Sequence, residues 1–179
     1  MPTVFSHAAV PLSPGLGLGK AMISSRLLIA GIAASVIPDL DGISFWTGIP
    51  YASAFGHRGF THSLLFVLFC GLLASLFHRF LKTKAATAFL FIGGTVLSHI
   101  ILDTLTNGGL GTALLWPYSN GRFFLPFRPI EVSPVTVARF LSGRGLQVLL
   151  SELKWVWFPM TAVFILLLSI RRFAKTKRT

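Results

Sequence analysis

Three of the five acidic residues and three of the five histidines fall in three short polar islands of an otherwise greasy chain. The islands are Pro38-Asp39-Leu40-Asp41, Gly56-His57-Arg58-Gly59-Phe60-Thr61-His62-Ser63 and His99-Ile100-Ile101-Leu102-Asp103. Carboxylates and imidazoles in apolar surroundings are costly unless they are paired or bind a metal. In a chain so poor in carboxylates, this clustering points to a metal site at or in a membrane.

The spacing within each island limits what it can do. His99 and Asp103 are four apart, which on a helix puts both on one face, one turn apart. They can grip one ion, or form an Asp–His hydrogen bond that packs two helices. His57 and His62 are five apart, which on one helix would separate their faces. We therefore expect His57 in the Gly56–Gly59 turn and His62 in the first turn of a helix. Asp39 and Asp41 point the same way if the segment is extended, yet after Pro38 they could equally serve a turn or a cap. His7 reaches the same side only if the N-terminal region folds back as a hairpin. His78 sits beside Arg79, away from the islands, and reads as an interfacial residue.

The candidate metal ligands are thus His7, Asp39, Asp41, His57, His62, His99 and Asp103. Mixed His and Asp ligands suit zinc first, with manganese or iron as alternatives, and do not suit calcium. Seven candidates exceed the needs of one zinc, so one or two ions are expected. Such a site can activate water against an ester or phosphoester. Asp41 and Arg58 are the candidate catalytic residues. Arg58 could hold an anionic group or contact phospholipid headgroups.

The elements that must position these residues look membrane-embedded. The chain has 179 residues, 53% hydrophobic and only 12% charged, with a mean hydropathy of +0.74. Soluble domains carry about a quarter charged residues. The net charge of +11 sits mainly at the ends of apolar runs, unlike the solvated basic face of a nucleic-acid binder, so no nucleic-acid partner is expected. Cys70 is the only cysteine. It excludes an intrachain disulfide and paired-cysteine zinc sites, and reads as a small buried hydrophobe. Residues 1–18 have no basic residue ahead of their apolar stretch, so no cleavable signal peptide is expected.

Uncharged runs at residues 64–77, 85–102 and 155–170 are expected to be transmembrane helices, extended by snorkelling Lys and Arg. Residues 27–38 are short for a crossing. With the Pro- and Gly-interrupted run 8–18, they could make a short hairpin turning at residues 20–26. Thr61 or Ser63 should cap the helix from Leu64. Gly108-Gly109 should end the helix carrying Asp103. Residues 104–154, rich in Pro and aromatics, read as a long interfacial loop.

Ten of the sixteen basic residues share one side, made by Lys20/Arg26, Arg79/Lys82/Lys84 and the tail 171–179. That side, with the C-terminal tail, is expected to be cytoplasmic. The polar islands then lie on the other side.

The islands, followed by Leu114-Leu115-Trp116-Pro117, resemble in order and spacing a family of inner-membrane-bound metal-dependent hydrolases that also carries the label LexA-binding. We take that label to describe control of the gene rather than a contact of the protein. The resemblance covers about residues 7–130, and the family's N-terminal histidine matches His7. A more distant similarity links Asp41 to His57 and His99/Asp103 with the zinc-dependent phospholipase C and P1 nuclease enzymes. This chain lacks the later ligands of those enzymes, since no histidine follows His99. A full trinuclear cluster is therefore not expected. The resemblance implies a bacterial cytoplasmic (inner) membrane, multi-pass location.

We therefore expect an all-α integral membrane helical bundle of about four to five helices, with a short N-terminal hairpin and a long interfacial loop. It would form a single domain over residues 1–179, with its last transmembrane helix at about 155–170. The expected function is a membrane-bound metal-dependent hydrolase whose metal-activated water attacks an ester or phosphoester. Its partners would be membrane lipids and a lipid or small-molecule substrate. The rival expectation is a non-catalytic membrane metal-binding or transport protein.

Overall fold

Apolar runs that end at Ser, Lys or Gly become helices here, and the islands fall where those helices end. The structure is a computed structural model that describes residues 1–134 and 136–176. Part of the expected cytoplasmic tail, residues 177–179, lies outside the described residues.

The elements in chain order are α1 (Val4–Leu18), α2 (Ser25–Ala34), a 3-10 turn (Ile37–Ile43), α3 (Ser44–Thr47), a second 3-10 turn (Phe60–His62), α4 (Leu64–Leu76), α5 (Ala85–Thr104), α6 (Val137–Leu141), α7 (Arg144–Glu152), a π-helical turn (Leu153–Trp157) and α8 (Phe158–Thr176). Among the described residues there is no strand, only the isolated bridges Thr106 to Ile130 and Thr112 to Phe123. The expected all-helical bundle is what forms, including the N-terminal hairpin of α1 and α2.

Two Pro interrupt α1 without breaking it. Each removes a backbone donor, but small residues on the buried face let neighbours pack close. A Cβ at Gly17 would lie 2.8 Å from the Leu167 Cβ of α8. Helices α2, α4 and α5 share a core that includes Leu27, Ala74, Ala88, Ile92 and Val96. The outward face of α4 exposes Leu65, Leu68, Phe69, Leu72 and Leu76. A large bare apolar surface suits a lipid surround and not water.

Among the described residues, three helical stretches are long and apolar enough to cross a membrane: Ser25–Thr47, Ala85–Thr104 and Arg144–Thr176. The set differs from the expected one in two places. The stretch expected at residues 64–77 is only 13 residues long as α4, about 20 Å at 1.5 Å per residue. Residues 27–38, which looked short, are lengthened by the 3-10 turn and α3. The last helix also starts earlier than residue 155. Its polar N-terminal part is tolerated because Glu152 is fully satisfied: it accepts from the Thr3 amide at 2.5 Å, the Thr3 hydroxyl at 2.6 Å and the Ser6 hydroxyl at 2.7 Å. Helices α6 and α7 therefore occupy what read as loop.

Ser63 caps α4, accepting from the Phe66 amide at 3.2 Å. Helix α5 ends at Thr104, ahead of the expected Gly108-Gly109. The Thr106 hydroxyl turns back to the Asp103 carbonyl at 2.8 Å, satisfying a terminal acceptor and stopping the helix.

The expected basic end is gathered in space. Arg26 donates to the Phe80 carbonyl at 3.0 Å, and Arg171 donates to the Leu16 carbonyl at 3.1 Å. The islands lie at the opposite end of α1, α2 and α5.

Candidate metal centre

Four elements each bring a polar side chain to one point. Helix α5 presents His99 and Asp103 one turn apart. The 3-10 turn after α2 supplies Asp39, the 3-10 turn before α4 supplies His62, and α1 supplies His7. One ligand atom from each of Asp39, His62, His99 and Asp103 lies within 4.8 Å of the others. His62, His99 and Asp103 are fully buried.

The spacing within this group suits a cation. The two Nε2 atoms of His62 and His99 are 3.1 Å apart. His62 Nε2 lies 3.2 Å from Asp103 Oδ2, and His99 Nε2 lies 3.5 Å from Asp39 Oδ1. Tetrahedral zinc with bonds of 2.0–2.1 Å sets its ligand atoms about 3.3 Å apart. His7 Nε2 is 3.8 Å from an oxygen of each of Asp39 and Asp103, and its ring stacks on His99 at 3.8 Å. Both nitrogens of His7, both oxygens of Asp39 and Oδ1 of Asp103 are buried without a hydrogen-bond partner, while Asp103 Oδ2 has the Arg58 guanidinium beside it. Orphaned buried acceptors are rare and need a reason. A divalent cation supplies one, and the donor set fits it.

The surrounding hydrogen bonds aim the histidines. His99 Nδ1 donates to the Ser35 carbonyl at 2.7 Å, which leaves the Nε2 lone pair for the centre. His62 Nδ1 faces Asp41 Oδ2 at 3.1 Å, the carboxylate–histidine arrangement that orients metal ligands. Burial opposes a charge on His62, but Asp103 and Asp41 outweigh it and raise its pKa to about 9. A cluster that makes a buried imidazole hold a proton is one that would take a cation instead.

Asp41 faces away from the centre. Its oxygens accept from His57 Nδ1 at 2.6 Å, the Arg58 amide at 2.9 Å and the Thr61 hydroxyl at 2.5 Å. The 3-10 turn explains the split between Asp39 and Asp41. At three residues per turn, residues two apart point about 240° apart, whereas an extended segment would have aligned them.

Arg58 is fully buried, with a backbone φ of 59°, uncommon for a residue with a side chain. Its Nε makes an ion pair with Asp103 at 2.9 Å. Its other nitrogens donate to the Gly108 carbonyl and the Thr106 hydroxyl, both at 3.1 Å. The guanidinium therefore holds a carboxylate of the centre. The loop is held in turn by Arg122, which donates to the carbonyls of Tyr51, Ser53, His57 and Arg58 at 2.6–3.1 Å. Gly59 allows the tight turn, since a Cβ there would collide with the Ala54 carbonyl oxygen.

A cavity of about 740 Å³ adjoins the centre. Asp39, Tyr51, His57, Arg58 and Ser133 are among its polar lining, and Leu40, Ile43, Phe45, Trp46, Val132 and Pro134 among its apolar lining. That volume is in the range of small-molecule sites.

Of the seven ligand candidates, Asp39, His62, His99 and Asp103 form the group, and His7 lies against it. Asp41 and His57 form a pair behind it. His78 is elsewhere, with Nδ1 3.1 Å from the Thr83 carbonyl. The sequence reading missed Arg122, which had counted only as a basic residue, and Glu152. For Glu152 the signal was present, since an acidic residue is scarce anywhere in this chain. For Arg122 no spacing announced a clamp on carbonyls more than sixty residues away.

The all-helical fold and the buried His/Asp group define an integral membrane type of protein with a possible metal site. The chain belongs to the YdjM inner membrane protein family, whose model matches residues 1–177. Inner membrane protein YbcI of Escherichia coli (strain K12) is 48% identical over 160 residues, covering 89% of this chain and 92% of the relative. Inner membrane protein YdjM of the same strain is 41% identical over 110 residues, covering 56% of this chain and 54% of the relative. YvsG of Bacillus subtilis (strain 168) is 36% identical over 104 residues, covering 54% and 60%. No solved structure matches the chain at a significant level.

Proposed function

We propose that this protein is a membrane-bound metal-dependent hydrolase acting on an ester or phosphoester of a lipid or small molecule. The observation that carries this reading is the set of orphaned buried acceptors of His7, Asp39 and Asp103 beside a cavity of about 740 Å³. A divalent ion, zinc foremost, would supply Lewis acidity and an activated water.

Asp39, His62, His99 and Asp103 would hold that ion, with His7 packed against the group. Asp41 works through His57 and His62 as a positioning residue. Arg58 fixes Asp103 and borders the cavity where a substrate would lie. The buried face of α5 below the centre carries Ala88, Ile92, Gly93, Thr95 and Val96, with no ladder of ligands at successive depths, and this favours a site over a transport pathway. The protein crosses the inner membrane several times with its basic end in the cytoplasm, and the site opens on the opposite side.

The test is a screen of purified protein in nanodiscs, loaded with zinc, manganese or iron, against carboxyl-ester and phosphodiester substrates. Metal-dependent turnover lost on chelation and in Asp103→Asn is expected. No turnover with any metal removes the hydrolase reading.

A further inference from the structure

The cavity beside the centre is lined by polar groups, Asp39, Tyr51, His57, Arg58 and Ser133, and by apolar side chains, several of which belong to a candidate membrane span. Leu40, Gly42, Ile43 and Trp46 all line it, and all lie in the stretch Ser25–Thr47. Leu40, Ile43 and Trp46 are also large apolar side chains left 67%, 60% and 78% exposed. Exposure of this kind beside a deep cavity would be a liability in water and is natural where hydrocarbon can enter. Val132 and Pro134 line it as well. The polar lining at Asp39, His57 and Arg58 adjoins the ligand group.

From this mixed lining, with the exposed apolar side chains Leu40, Ile43 and Trp46 in a candidate span, we infer that the occupant is an amphiphile carrying a hydrocarbon chain. It enters from the bilayer past Ile43 and Trp46 and presents its ester or phosphoester head to the metal centre. The chain lies in the apolar part of the cavity, and the head meets the ion and the ring of His57. His57 has Nδ1 committed to Asp41, so Nε2 is its one nitrogen available to a head oxygen. The inference rests on the hydrolase reading for the fate of the head and on the cavity alone for the chain. A soluble, chainless substrate would leave the apolar part without a role.

Gly42 gives a way to block only that part. It lines the cavity, and a Cβ built on it meets nothing within 4 Å. Gly42→Phe should therefore fill the chain space without disturbing the ligands, a retention checked by metal content and thermal unfolding. The probe is a single-chain alkyl phosphate carrying a photoreactive diazirine at its chain end, added to zinc-loaded protein in nanodiscs. We expect the label on peptides holding Leu40, Ile43, Trp46 or Val132, and about a tenfold or larger loss of that label in Gly42→Phe. Inorganic phosphate, which has no chain, should bind zinc-loaded wild type and Gly42→Phe with equal affinity.

Label spread over the outer faces of α4 and α8, or unchanged in Gly42→Phe, would overturn the inference. Localised labelling without hydrolysis of any ester or phosphoester would uphold the occupant and overturn the hydrolase reading instead.

Discussion

His62 and His99 face each other through Nε2 atoms 3.1 Å apart. His99 donates its Nδ1–H to the Ser35 carbonyl, and His62 aims its Nδ1 at Asp41. Two nitrogen lone pairs meeting in a buried site repel unless a cation or a proton lies between or beside them. Carboxylate oxygens of Asp39 and Asp103 lie at the same point, three of the four oxygens being buried without a partner and the fourth ion-paired with Arg58. The local hydrogen bonding thus defines an electron-rich hole shaped for an ion.

Asp41→Asn should weaken metal binding by about 10–100-fold while leaving the ion's direct ligands in place. The carboxylate orients His62, and an amide would turn a donor toward either His57, Thr61 or the Arg58 amide. Metal competition with a calibrated chelator measures it. Binding as tight as wild type would mean that the orientation of His62 does not depend on Asp41.

Arg122→Ala should destabilise the protein by about 2–4 kcal/mol, because four carbonyls of the loop around His57 lose a charged donor. Arg122→Lys should recover only part of this, since a single ammonium cannot span the four acceptors as the planar fork does. Thermal unfolding in detergent gives the comparison. Equal stability of all three proteins would show that the loop holds itself.

Glu152→Ala should cost about 2–3 kcal/mol by leaving the Thr3 amide and the Thr3 and Ser6 hydroxyls without their shared acceptor. His7 follows Ser6 directly, so loosening the start of α1 should also lower metal affinity. Unfolding and metal titration of the same variant read both effects. Lost stability with unchanged metal affinity would separate His7 from the centre.

These expectations also mark what a sequence can reveal. The pairing of His99 with Asp103 was legible because helix periodicity alone puts residues four apart on one face. A hairpin of α1 and α2 was one reading of the local punctuation, and the cap of α4 was narrowed by it to Thr61 or Ser63, of which Ser63 serves. Asp39 and Asp41 were not separable, since their directions depend on a 3-10 turn whose only local sign, Pro38, fits several conformations. The start of the last helix was misplaced because the polarity of Glu152 is cancelled by residues 3 and 6, at the far end of the chain. Arg122 and the Ser35 carbonyl act over long sequence distances, and a carbonyl carries no side-chain signature at all.

The basic end formed by Arg26, Arg171 and their neighbours should face the cytoplasm. A reporter fused after Thr179 that fluoresces only in the cytoplasm should be bright, and a periplasm-dependent one silent. The reverse pattern would put the metal centre on the cytoplasmic side.

The most direct measurement is the metal content of the purified protein beside that of Asp103→Ala, both recovered from membranes at known abundance. The account predicts about one divalent transition metal per wild-type chain, as purified or after reconstitution. It predicts a large loss of metal in Asp103→Ala, with the protein still inserted in the membrane because losing a carboxylate only makes α5 more apolar. No metal in the wild type under either condition, or full metal occupancy in Asp103→Ala, would contradict it.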